Sequence, residues 1–150
     1  MQNAKFLVPQ TNPSQVTSRQ QLVTARKLVI VVDDDPSVLA AVERMLRVHG
    51  FDTEVFNTVE SFLDRANLCG ATCLVLDIHL DGMSGIELRR QLTRSGIELP
   101  VVFITANDSE ASRKAAMEAG CVAYLQKPFP TKLLMDAIEA ALLGPPRPIK

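Results

Sequence analysis

From Lys27 onward, short β-branched or apolar runs alternate with longer segments whose apolar residues recur at helical spacing. The runs are Leu28–Val32, Thr53–Phe56, Cys73–Leu76, Val101–Ile104 and Val122–Leu125. The segments between them end at Gly50, Gly70, Gly96 and Gly120, where glycine accepts the left-handed conformation that stops a helix. The pattern therefore predicts five β-α units, the last helix falling at about 130–143. In the first helix Pro36 occupies the first turn, where a missing N–H costs nothing. Val38, Ala41, Val42, Met45, Leu46 and His49 then share one face, and Leu39 falls off that stripe as an exposed leucine. In the last helix, after Pro130, the stripe is Leu134, Ala137, Ile138 and Ala141.

The first and third runs are apolar at every position, as expected of central strands in a parallel sheet covered on both faces. Right-handed crossovers then place helices on both sides. The expected fold is a five-stranded, doubly wound α/β domain spanning 27–143. Residues 1–26 have five Gln, many Ser and Thr, and no acid, so they read as a flexible N-terminal extension. Within it, Phe6-Leu7-Val8 is a candidate partner contact. Residues 144–150, with Gly-Pro-Pro-Arg-Pro, read as a C-terminal tail or linker stub.

In a sheet of this kind, ligands bind beyond the carboxyl ends of the strands. The first run is followed by Asp33-Asp34-Asp35, the third by Asp77, the fourth by Thr105 and the fifth by Gln126-Lys127. Acids, a hydroxyl and an ammonium would therefore meet on one rim. Crowded carboxylates repel by roughly 1 kcal/mol per pair in water and by more where water is excluded. A hard divalent cation relieves that repulsion, and Mg²⁺ suits an open rim with few carboxylates and with phosphate oxygens. Lys127 and Thr105 can hold the remaining oxygens of a phosphoryl group, so the rim suits phosphoryl transfer. Asp35 reads as the N-cap of the first helix. His49 reads as a helix-end residue whose charge suits the dipole.

Composition narrows the reading. The 150 residues are 47% hydrophobic and 22% charged, with net charge −1: enough apolar material for one core, and no long basic run to suggest a nucleic-acid surface. Cys69, Cys73 and Cys121 form no CxxC or Cys/His cluster and read as reduced thiols. No apolar run is long enough for a membrane span or a signal peptide, so a cytoplasmic protein is expected.

Four segments in register carry a family resemblance: Val-Val-Asp-Asp-Asp, Leu-Val-Leu-Asp-Ile-His-Leu-Asp-Gly-Met-Ser-Gly, Phe-Ile-Thr-Ala and Tyr-Leu-Gln-Lys-Pro-Phe. Over about 27–143 the sequence resembles the receiver domain of response regulators, typified by the bacterial chemotaxis regulator. That resemblance implies a flavodoxin-like (βα)5 fold with strand order 2-1-3-4-5. It implies Asp77 as phosphoacceptor and a Mg²⁺ (or Mn²⁺) site made by Asp33, Asp34, Asp77 and the backbone carbonyl of His79. It implies Thr105 as switch hydroxyl, Lys127 as phosphate contact, Tyr124 as the aromatic that follows Thr105, and a cis peptide at Lys127-Pro128. His79 and Asn107 occupy positions that tune autodephosphorylation. The family's usual proline four residues after the acceptor is Asp81 here, which frees a backbone angle and adds charge.

The implied function is acceptance of a phosphoryl group from a sensor histidine kinase or phosphotransfer domain, with no turnover beyond its own phosphoryl transfer and autodephosphorylation. Leu39 would lie on the face that meets the phosphodonor. Output would pass to a partner protein or to a C-terminal effector domain, from a monomer or a phosphorylation-dependent dimer. The competing reading is a receiver-like interaction module that takes no phosphate; absence of Mg²⁺ binding would favour it. A dehalogenase-like phosphatase would share an Asp-x-Asp pair, Asp33 and Asp35, but would need a cap insertion that has no counterpart here.

Overall fold

The computed structural model describes residues 26–144. The expectations for residues 1–25 and 145–150 lie outside the described residues. Five strands, β1 (Leu28–Val32), β2 (Asp52–Phe56), β3 (Ala71–Asp77), β4 (Val101–Thr105) and β5 (Ala123–Gln126), alternate with five helices. The helices are α1 (Pro36–Val48), α2 (Val59–Arg65), α3 (Gly85–Arg94), α4 (Glu110–Glu118) and α5 (Thr131–Leu143). All strand pairs are parallel, in the order β2-β1-β3-β4-β5. This is the doubly wound, flavodoxin-like architecture expected. β1, β3 and β4 are central and buried almost throughout, which explains their unbroken apolar sequences.

Alternation along those strands divides the core. Val29, Val31, Cys73, Val75, Val102 and Ile104 face α1 and α5, with Leu134, Ala137, Ile138 and Ala141 all buried as expected. Ile30, Val32, Leu74, Leu76, Val101 and Phe103 face α2, α3 and α4. Register then fixes the rim. Val32 pairs with Leu76, Asp77 with Ile104 and Thr105 with Gln126, so the residues after β1 and at the ends of β3, β4 and β5 emerge together.

Two local expectations are corrected. Leu39 is buried, at 7% exposure, and belongs to the core face of α1 with Val42 and Leu46. Val38, Ala41 and Met45 are half-buried beside it, and His49 is exposed. Leu39, Val42 and Leu46, at i, i+3 and i+7, are the positions that face the sheet, so the buried stripe is rotated from the expected one.

The second corrected expectation concerns Gly70. Gly50, Gly96 and Gly120 do stop helices at positive φ, but α2 ends five residues before Gly70, at Arg65. Ala66 turns extended there, and the Asn67 N–H donates to the Glu54 carboxylate at 3.0 Å instead of continuing the helix. β3 accordingly starts at Ala71 rather than Cys73, and β5 is shifted one residue, to Ala123–Gln126.

Candidate functional site

The rim is built by strand ends and the turns that follow them. Asp33 follows β1, and its N–H donates to the Phe56 carbonyl of β2 (3.1 Å), which holds it against the sheet edge. Asp35 caps α1 as expected, its carboxylate accepting from the Ser37 N–H at 2.9 Å. Bonds from the Ser37 hydroxyl and N–H hold that carboxyl below its ordinary range. Asp77 ends β3, and Gly85 lies directly behind it. A Cβ at Gly85 would collide with the Asp77 carbonyl oxygen, and the Gly85 N–H donates to the Ile78 carbonyl at 2.8 Å. The start of α3 is thereby tied beneath the Asp77 loop.

Asp33, Asp77 and Thr105 are the buried polar side chains among the described residues. Each has partners, as buried polar groups require. Asp33 accepts from the Asp35 N–H at 2.9 Å and from Lys127 Nζ at 2.6 Å. Asp77 accepts from the His79 N–H at 3.1 Å and lies 3.4 Å from the same ammonium. Thr105 Oγ1 accepts from the Asn107 N–H at 3.0 Å, and its carbonyl accepts from the Lys127 N–H at 2.7 Å. The Lys127-Pro128 peptide is cis.

Carboxylate oxygens of Asp33, Asp34 and Asp77 lie within 4.8 Å of one another, with Asp34 exposed at the mouth. Burial pushes the Asp77 carboxyl above its ordinary value, the charge of Asp33 adds to this, and the His79 N–H and Lys127 oppose it. Burial works against the Lys127 charge, but the bond and charge of Asp33, with Asp77, hold its ammonium above the usual range. Three hard oxygen donors around an open mouth fit a divalent cation that retains waters.

Tyr124, in β5, is half-buried and donates to Asp108 at 2.9 Å. His79 and Asp81 are exposed. A groove of about 490 Å³ opens beside the rim, lined by residues including Val38, Ala41, Met45, Lys127 and Phe129. The described residues include no helix long and apolar enough to cross a membrane. Asp108 escaped the sequence reading, because its bond with Tyr124 joins residues distant in sequence and no spacing rule marks it.

The profile of the response regulator receiver domain matches residues 29–139. The chain belongs to this family. The response regulator protein TodT of Pseudomonas putida is 33% identical over 136 residues, covering 91% of this chain and 60% of that protein. The response regulator StyR is 44% identical, with a TM-score of 0.73 over 79% of this chain and 60% of that one. The BeF3-activated receiver domain of DrrB is 28% identical, with a TM-score of 0.72 over 79% of this chain and 99% of that one. The chain thus spans about 60% of the length of TodT. It is a signalling module of the two-component type.

Proposed function

We propose that this receiver domain takes a phosphoryl group onto Asp77 from a phosphohistidine of a sensor kinase or phosphotransfer domain. One observation carries the reading: a single ammonium, Lys127 Nζ, reaches both Asp33 and Asp77 beside the exposed Asp34. An Asp77 oxygen attacks phosphorus in line. The new O–P bond forms as the N–P bond breaks, and the imidazole departs with the electron pair and is reprotonated. Lys127 holds one phosphoryl oxygen, and the Thr105 hydroxyl donates to another. Asp33, Asp34, Asp77 and the His79 carbonyl would hold Mg²⁺ or Mn²⁺, which supplies neutralisation of the charge on carboxylates and phosphoryl oxygens. The groove beside α1, rather than Leu39, offers the apolar contact for the donor.

Thr105 moves toward the acyl phosphate, Tyr124 follows, and the face of α4, β5 and α5 is repacked for an output protein or a C-terminal effector domain. The domain turns over only its own phosphoryl group, in the cytoplasm. Incubation with acetyl phosphate and Mg²⁺ should add one phosphoryl group, seen by intact mass. Labelling that persists in Asp77→Ala refutes the acceptor assignment.

A further inference from the structure

α4 buries only Ala116 among its own residues, so apolar packing holds it weakly. A polar cluster secures its beginning. Tyr124 Oη donates to Asp108 Oδ1 at 2.9 Å, and the Arg113 guanidinium pairs with Asp108 Oδ2. The same guanidinium lies over the Tyr124 ring, 5.7 Å from its centroid. Both oxygens of one carboxylate are therefore committed, and the ring is held by its hydroxyl and by its face. Asp108 stands three residues beyond Thr105, and Tyr124 pairs with Phe103 on the strand that Thr105 ends. The cluster thus spans the path between the phosphoryl site and α4.

We propose that Asp108 and Arg113 form a latch that holds Tyr124 in its present position, and that phosphorylation must open it. The inference rests on the reading of Asp77 above and adds the groups that resist the switch. Because the latch stabilises one of two states, its loss favours the state that binds the phosphoryl group, and affinity at the distant site must rise by linkage.

Tyr124 is the sole tyrosine of a chain without tryptophan, so intrinsic emission reports on it directly. A carboxylate that accepts the phenol proton quenches that emission. In the full chain, beryllofluoride with Mg²⁺ should raise emission of the wild type. Asp108→Ala should be bright beforehand, respond little, and reach half-saturation at roughly five-fold lower beryllofluoride. Asp108→Asn, which keeps an acceptor and loses the charge, should fall between them, and covers the case in which the alanine variant fails to fold. Phosphoryl incorporation with unchanged wild-type emission, or equal half-saturation in all three proteins, overturns the latch alone. Absence of incorporation into the wild type overturns the reading of Asp77 and the latch with it.

Discussion

Lys127 Nζ lies 2.6 Å from Asp33 Oδ2 and 3.4 Å from Asp77 Oδ2, so one ammonium spans the acids at the ends of neighbouring strands. Three carboxylates and this one ammonium leave a formal charge of −2 at the rim. A divalent cation matches that remainder, and a phosphoryl group brings its own negative charge to the freed ammonium.

Lys127→Met should therefore lower stability at neutral pH by about 3 kcal/mol, because buried Asp33 loses its charged partner. Urea unfolding measures the difference. The folded protein raises the Lys127 pKa, so this contribution is present below about pH 10, the unfolded value, and is lost as pH rises through the folded value. Equal stability at pH 7 would show that the ammonium does not support the fold.

Asp77→Asn should act in the opposite direction. The folded protein raises the Asp77 pKa, so this group's contribution is present below about pH 4, the unfolded value, and is lost as pH rises through the folded value. At pH 7 its charge opposes folding, and the variant should be more stable by about 1–3 kcal/mol. Added Mg²⁺ should narrow the gap by stabilising the wild type more, and EDTA should restore it. A less stable variant without metal would contradict this.

The fold and the rim were legible because their signals are local: β-branched runs, glycine stops, and one chemical group at each strand end. Gly70 misled because α2 is ended by a bond from Asn67 to Glu54 of β2, which no local pattern encodes. Leu39 misled because a helical stripe defines a face only to within a residue or so, and the sheet decides which edge is buried. The partners of Tyr124 were invisible for a third reason. Asp108 lies in the turn after the neighbouring strand β4 and Arg113 on α4, and exposed-looking polar residues carry no sign of such contacts.

Gly85→Ala should damage both fold and site. Its Cβ would overlap the Asp77 carbonyl oxygen, and that atom is backbone, so the acceptor loop itself must shift. A loss of about 2 kcal/mol and markedly slower labelling from acetyl phosphate are expected. Wild-type stability and labelling together would refute the close approach.

Cys73 sets an alkaline limit. Burial pushes its thiol up to about 12, so its contribution is complete below about pH 9 and is lost as pH rises toward 12. Across that window the stability of the wild type should fall by up to about 1.4 kcal/mol per pH unit more steeply than that of Cys73→Ala. The slope, not the absolute stability, is the readout, since the alanine also leaves a cavity. Parallel slopes would mean that the thiol ionises in place.

Arg89 fastens the other end of α4. Its Nε donates to the Ala119 carbonyl at 3.3 Å and its Nη1 to the Leu99 carbonyl at 2.5 Å. The last turn of α4 has no basic residue of its own, so Arg89 supplies from α3 the positive charge that a helix C-terminus favours. Arg89→Met keeps the apolar stem and removes both bonds. It should cost about 1–2 kcal/mol. Hydrogen exchange should quicken in α4 and not in β1 or β3, because those strands are packed on both faces independently of this contact. Uniform quickening would assign Arg89 to the global core, and unchanged exchange in α4 would remove it as a tether.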